Sequence, residues 1–101
     1  RNSKIIDVYN ELKKWGASVV VIDPWVDQVK LQKEHQIKLG KIDKDNKVDS
    51  LIVGVAHDQF RSFSPIELKS FCNSSKPVIG DVKSIYKKEE LIKEGFSVFR
   101  L

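Results

Sequence analysis

Short apolar segments alternate along this chain with segments whose apolar side chains recur at the spacing of a helix. The helix-like segments span residues 3–15, 65–72 and 85–94. The short apolar segments, which are predicted strands, span residues 17–22, 51–56, 77–81 and 96–100. Strands that alternate with helices favour one architecture, an α/β fold with three layers in which helices cover both faces of a parallel sheet.

Two helix boundaries are marked by residues that suit them. Ser3 is placed to cap the start of the first helix, and Gly16 follows its last turn as a residue that readily takes a positive φ. Ser64, Pro65 and Glu67 form the pattern of a capping box, with proline in the first helical turn. This pattern is the strongest local signal in the chain, and it predicts a helix that begins at residue 65.

The segments 12–19 and 91–98 resemble each other. Each runs from the end of a predicted helix through a glycine, Gly16 or Gly95, into a predicted strand. We interpret the likeness as two uses of one helix-to-strand junction rather than as a duplication.

The first predicted element is a helix, whereas doubly wound α/β folds normally open on a strand at the centre of the sheet. We therefore expect a Rossmann-like fold that lacks its first strand, with a gap between strands 17–22 and 51–56. Either these two strands close up and pair directly or another strand fills the gap, and a filled gap is favoured. Between these two strands, residues 26–35 are predicted to form a second helix, residues 37–39 a short edge strand and residues 40–49 a polar loop.

Length and composition restrict the class of protein. The 101 residues suit one domain, and no run approaches the ~20 apolar residues of a membrane span. Cys72 is the single cysteine, so no internal disulfide can form and a reducing, cytoplasmic location is expected. Its position on a predicted helix face marks Cys72 as a core residue rather than a reactive thiol.

The formal net charge of +4 favours an anionic partner. Nucleic acid is one candidate, but lysines and aspartates alternate through residues 38–49, as they do in a solvated loop. A groove that follows nucleic-acid phosphates would be more uniformly basic and would carry aromatic side chains. A phosphorylated small molecule is therefore favoured over nucleic acid.

Four segments, taken together and in order, resemble the C-terminal domain of the UDP-glucose/GDP-mannose dehydrogenase family. They are RNSK at 1–4, IDPWV at 22–26, VAHDQF at 55–60, and GDVK at 80–83 with the closing residues 95–101. The likeness covers essentially the whole chain. Segments 23–26 and 81–83 are more similar to the branch that acts on UDP-N-acetylhexosamines than to the UDP-glucose branch.

The resemblance implies a part in an NAD-dependent enzyme that oxidises the C6 hydroxyl of a nucleotide sugar to a carboxylate for polysaccharide synthesis. It implies that this domain binds the UDP portion of the substrate, while an N-terminal domain absent from this chain binds NAD. A central region, also absent, is implied to carry much of the catalysis and of the dimer contact, so the full-length enzyme is expected to be a homodimer. This chain alone is then expected to hold no catalytic residue and no cofactor, and to contact neither nucleic acid nor a membrane.

Two basic residues are candidate ligands of the substrate phosphates. Arg1 closes the family's Asp-x-Arg-Asn-Ser segment, and a guanidinium suits phosphate because its planar fork makes two parallel charge-assisted bonds. Lys83 follows the strand at 77–81, and open α/β sheets bind ligands beyond the carboxyl ends of their strands. The alternatives are a disordered first residue at Arg1 and an ordinary surface lysine at Lys83.

Asp81 and His57 complete the predicted substrate-binding set. Asp81 either orients Lys83 or caps the turn after the strand, and capping is favoured. His57 follows the strand at 51–56, at the same edge of the sheet, where it could hydrogen-bond the nucleotide. A histidine that serves only the turn is the favoured alternative.

Other kinds of site are not indicated by the sequence. The glycines do not form a Gly-x-Gly-x-x-Gly or P-loop pattern, so NAD binding by this chain is not expected. His35 and His57 are too isolated to predict a metal site. The alternative to a substrate-binding domain is a stand-alone α/β signalling or ligand-binding module, for which strand 51–56 lacks the terminal aspartate of a receiver-like domain.

Overall fold

A computed structural model describes residues 3–22 and 45–100, and it describes side chains from residue 6 onward within those ranges. The chain divides into two compact units, Arg1–Lys41 and Ile42–Leu101. The helix predicted at 26–35 and the edge strand predicted at 37–39 lie outside the described residues. No helix within the described ranges is both long and apolar enough to cross a membrane.

The described part of the first unit contains helix α1, Ser3–Lys14, which confirms the first predicted helix. Ser3, expected just before the helix as its cap, is the first helical residue. Tyr9 is buried, as its place on the apolar face predicts. Trp15 lies beyond the last helical residue and is exposed, so it does not contribute to that face.

The strand predicted at 17–22 is wrong as a regular strand. Residues 17–20 have no regular secondary structure, and Val21 is an isolated bridge residue. A strand needs a neighbouring segment that takes up its backbone N–H and C=O groups, and an apolar β-branched sequence does not supply that neighbour. The filled gap expected beside this segment stays a prediction.

The second unit contains a parallel sheet of three strands in the order β1-β2-β3. The strands are β1 (Ser50–Val53), β2 (Val78–Asp81) and β3 (Ser97–Phe99). In the register of the sheet, Ile52 lies opposite Gly80 and Gly80 lies opposite Phe99. The sheet confirms the last three predicted strands, with shorter bounds, and its parallel direction confirms the α/β class.

The helices of the second unit are short. They are α2 (Asp58–Arg61), α3 (Pro65–Ser70) and α4 (Lys88–Lys93). Helices α3 and α4 confirm the predictions at 65–72 and 85–94, although α4 begins three residues later. Helix α2 was not among the predicted helices, because its single turn is too short to show a periodic pattern.

The capping box at the start of α3 is present as predicted. Ser64 Oγ accepts a hydrogen bond from the backbone N–H of Glu67 (3.2 Å), and Glu67 Oε1 accepts one from the backbone N–H of Ser64 (3.1 Å). The chain enters α3 through Pro65, whose missing N–H costs nothing in the first helical turn.

The two glycine junctions have the same geometry. The N–H of Gly16 donates to the Lys13 carbonyl and the next N–H donates to the Leu12 carbonyl, and the same pair of bonds runs from Gly95 and its successor to Ile92 and Leu91. These are Schellman motifs, which require a left-handed residue. Gly16 and Gly95 supply it with φ of +90° and +99°.

One face of the sheet packs against α3 and α4. The buried core contains Leu68, Cys72, Ile79, Tyr86, Leu91 and Phe96. Along β2, burial alternates, so that Ile79 and Asp81 are buried while Val78 is partly exposed. Ile52 and Phe99 remain exposed on the opposite face. Asp81 therefore lies on the core side of the sheet, at its carboxyl edge.

Candidate functional site

The carboxyl edge of the sheet carries one candidate residue after each strand. Because all three strands are parallel, their carboxyl ends meet at one edge. His57 follows β1, Lys83 follows β2 and Arg100 follows β3. Ligands of open α/β sheets bind at this edge. The fold thus brings three of the predicted site residues, His57, Asp81 and Lys83, to one edge and adds Arg100. Arg1 lies outside the described residues.

His57 is the N-cap of helix α2. Its ring Nδ1 accepts a hydrogen bond from the backbone N–H of Gln59 (2.9 Å), and the ring lies 5.7 Å from that of Phe60 between centroids. An Nδ1 that accepts carries no proton, so the neutral ring has its proton on Nε2. The turn role that the sequence favoured for His57 is therefore present, and its contact with a nucleotide stays a prediction.

Asp81 is fully buried, and the turn after β2 uses both of its carboxylate oxygens. Oδ1 accepts from the backbone N–H of Ile85 and Oδ2 accepts from that of Tyr86, each at 3.0 Å. This is the capping role that the sequence analysis favoured. Residues 85 and 86, which were predicted as the start of the last helix, belong instead to the turn that Asp81 holds.

The turn between β2 and α4 holds Lys83 in an exposed position. The ammonium of Lys83 makes no hydrogen bond or ion pair with any residue that the structure describes. The next residue, Ser84, has a φ of +52°, a left-handed conformation that costs about 1 kcal/mol for a residue with a side chain. The backbone N–H of Val82 donates to the Val53 carbonyl (3.0 Å), which joins this turn to the end of β1.

Tyr86 and Arg100 are functional candidates that the sequence analysis missed. The Tyr86 hydroxyl donates to the Phe60 carbonyl of α2 (2.5 Å), and Arg100 donates through Nη2 to the Tyr86 carbonyl. The same Nη2 lies 3.9 Å from Asp81 Oδ2, an ion-pair distance that is too long for a direct hydrogen bond. The one available signal was that Arg100 is the last residue of the last predicted strand, at the end where His57 and Lys83 follow theirs.

The environment of Tyr86 stabilises its neutral form. Burial, and then the negative charge of Asp81, raise the pKa of the Tyr86 phenol to about 12. At neutral pH the hydroxyl is therefore a hydrogen-bond donor, as its bond to the Phe60 carbonyl requires.

Cys72 lies at the opposite end of the sheet. It forms a parallel bridge with Val48, two residues before β1, and its Sγ lies 3.6 Å from the Leu68 carbonyl. Burial first, and then the charge of Asp49, raise the pKa of the Cys72 thiol. A buried thiol with a raised pKa is a poor nucleophile, so the prediction that Cys72 is a core residue is confirmed.

The described residues do not assemble a metal site. Within residues 3–22 and 45–100, no three histidine, cysteine, aspartate or glutamate side chains are grouped as metal ligands. Every buried side-chain nitrogen or oxygen in the same ranges has a hydrogen-bond partner. At this edge of the sheet, the described residues present an exposed ammonium, a histidine and the backbone groups of the two turns.

Residues 1–88 match the UDP binding domain of the UDP-glucose/GDP-mannose dehydrogenase family. The match covers most of the chain, and the chain therefore belongs to this family. The resemblance that the four sequence segments carried is confirmed.

Two relatives are UDP-N-acetyl-D-glucosamine 6-dehydrogenases. The protein from Salmonella typhi is 34% identical and that from Pseudomonas aeruginosa 26% identical, each over 90 residues that make up 89% of this chain. The chain spans only 21% of the length of either relative.

A solved structure has the same fold. It is the NDP-N-acetyl-D-galactosaminuronic acid dehydrogenase of Methanosarcina mazei Go1, with a TM-score of 0.83 and 24% identity. The comparison covers 99% of this chain and 20% of that chain.

Proposed function

We propose that this chain is the UDP-binding domain of an NAD-dependent nucleotide-sugar 6-dehydrogenase. The observation that carries the proposal is membership of the family together with a parallel sheet whose carboxyl edge bears His57, Lys83 and the turn held by Asp81. The substrate is a UDP-hexose or UDP-N-acetylhexosamine, which the enzyme oxidises to the uronic acid. Two relatives that act on UDP-N-acetyl-D-glucosamine favour the N-acetylated class.

The part of this chain in that reaction is to hold the nucleotide. The exposed ammonium of Lys83 binds the diphosphate through charge-assisted hydrogen bonds. It has no hydrogen bond or ion pair with the described residues, so all three of its N–H groups are available to the ligand on that side. Arg1, which lies outside the described residues, stays a second candidate ligand of the substrate phosphates. His57 hydrogen-bonds the nucleotide while its Nδ1 keeps the bond to Gln59.

The chemical step belongs to other parts of the protein. NAD, when it is bound, is the hydride acceptor. We assign its site to an N-terminal domain outside this chain. A central region completes the active site and the homodimer. We assign the enzyme to the cytoplasm and give it no nucleic-acid or membrane partner.

Ligand-dependent thermal stability tests the proposal. A ligand at a hundred times its Kd stabilises the folded state by about 2.7 kcal/mol, which raises Tm by several degrees for a domain of this size. We expect UDP to raise the Tm of this chain, and NAD and a DNA duplex to leave it unchanged. A shift with DNA and none with UDP would instead identify a nucleic-acid-binding module.

Turnover by the natural polypeptide that contains this chain tests the enzymatic part. We expect UDP-N-acetylglucosamine to reduce NAD, followed by absorbance of NADH, with a higher kcat/KM than UDP-glucose. Equal or reversed specificity would reject the N-acetylated substrate class, and an absence of NADH with both sugars would reject the dehydrogenase.

A further inference from the structure

A long-range side-chain hydrogen bond connects two turns at the carboxyl edge. The Tyr86 hydroxyl, in the turn that holds Lys83, donates to the Phe60 carbonyl of α2 at 2.5 Å. The N-cap of α2 is His57. One bond thus links the element that presents the lysine to the element that presents the histidine, although the bonded residues are 26 positions apart in the sequence.

Tyr86 is fixed at each of its polar groups. Its N–H is bound by Asp81 from the end of β2, its carbonyl by Arg100 from the end of β3, and its hydroxyl bonds α2. The ring is buried in the core of the second unit. Tyr86 therefore connects the loops that follow all three strands.

Efficient packing of the core does not explain why position 86 is a tyrosine and position 81 an aspartate. A phenylalanine would fill the same buried volume as Tyr86, and burial of a hydroxyl or of the Asp81 carboxylate is unfavourable unless each is hydrogen-bonded. The turn also contains Ser84 at a left-handed φ, a conformation that persists only when its surroundings hold it. The hydrogen bonds among Asp81, Tyr86 and Arg100 fix the shape of this turn. The turn in its fixed shape carries the exposed ammonium of Lys83.

A fixed turn matters for ligand affinity. A loop that must be ordered on binding reduces affinity by the free energy of that ordering, and a loop held in its binding conformation avoids this cost. An exposed lysine on a mobile turn would lose affinity in this way.

We propose that Tyr86 and Arg100 are positioning residues, which join the Lys83 turn to the His57 helix so that both are preorganised for one nucleoside diphosphate. The inference rests on the proposed binding of UDP at this edge. Neither residue needs to contact the ligand, and both act through Lys83 and His57.

A double-mutant cycle in the natural polypeptide that contains this chain tests the inference. Tyr86→Phe keeps the ring and removes the hydroxyl. We expect it to raise the Kd for UDP about fivefold, a ratio equal to about 1 kcal/mol, and to leave the Kd for uridine, which has no phosphate, unchanged. In a Lys83→Ala background the same substitution should have a smaller effect, because the part of its action that passes through the lysine is already lost. Arg100→Ala should behave like Tyr86→Phe, and Arg100→Lys should restore part of the affinity.

Cys72→Ala is the matched control, since it disturbs the same core at the opposite end of the sheet. We expect it to lower stability while leaving the Kd for UDP unchanged. If Tyr86→Phe leaves UDP affinity unchanged, weakens uridine equally, or adds its full effect in the Lys83→Ala background, the positioning role is wrong while UDP binding stands. If the unmutated protein binds no UDP, the proposed function and this inference are both overturned.

Discussion

Lys76 and Lys83 lie at opposite ends of strand β2, the first two residues before it and the second two residues after it. Both side chains are exposed and carry the same charge. They differ in which edge of the sheet they occupy, because β2 runs in one direction between them. Substituting each lysine in turn therefore separates the effect of its position on substrate binding from the effect of its charge.

The first prediction uses this pair. Lys83→Ala should raise the KM for the nucleotide sugar about tenfold, because it removes a charge-assisted contact of the diphosphate. Lys76→Ala removes an equal charge at the amino edge and should change KM by less than about twofold. Steady-state kinetics of the natural polypeptide decide the matter, and an unchanged kcat/KM for Lys83→Ala removes this residue from the site.

The second prediction concerns the buried carboxylate. Asp81→Asn should lower the free energy of unfolding by about 3 kcal/mol, because the amide oxygen can accept only one of the two turn hydrogen bonds and the negative charge beside Arg100 is lost. Asp58→Asn, at an exposed position in the first turn of α2, should cost about 0.5 kcal/mol or less. Urea denaturation measures both, and equal losses would show that Asp81 does not hold the turn.

The third prediction concerns the cap of α3. Ser64→Ala should lower the free energy of unfolding by about 1 kcal/mol, because the backbone N–H of Glu67 loses its acceptor. Ser64→Thr retains a hydroxyl oxygen at the same position and should lose much less. The comparison can be made by thermal unfolding, and a threonine variant as unstable as the alanine variant would argue against the capping bond.

The fourth prediction is a pH dependence. The folded-state pKa of Tyr86, about 12, lies above the value of 10.0 for an unperturbed tyrosine. The unfolded chain therefore loses this proton first, so the stability that Tyr86 contributes is complete below pH 10 and is lost as the pH rises towards 12. Lysines titrate in the same range, so the quantity to measure is the difference between the wild-type and Tyr86→Phe proteins. That difference should shrink above pH 10, and a constant difference up to pH 12 would contradict the raised pKa.

The fifth prediction concerns the buried thiol. Because burial raises the pKa of Cys72, its alkylation by iodoacetamide at pH 8 should be far slower than that of free cysteine. Addition of urea above the unfolding midpoint should restore the rate of an ordinary thiol. Fast alkylation of the folded protein would place Cys72 at an accessible surface.

The sequence could predict only those site residues that a local pattern marks or that lie at the carboxyl end of a predicted strand. The sequence placed His57, Asp81 and Lys83 after predicted strands, and the parallel sheet brings the ends of those strands to one edge. It did not single out Tyr86 or Arg100, because their partners are 26 and 14 residues away along the chain and no spacing rule connects them.

The sequence by itself determined the features that depend on a few adjacent residues. The capping box of Ser64 and Glu67 and the Schellman turns at Gly16 and Gly95 form as predicted, because each is closed by hydrogen bonds within one helical turn. Tertiary structure decided the rest. Residues 17–22 have the composition of a strand without forming a regular one, and the turn after β2 extends through residue 86, where a buried carboxylate accepts from its N–H groups. Strand pairing and buried polar networks need partners from distant parts of the chain, and only the folded arrangement supplies them.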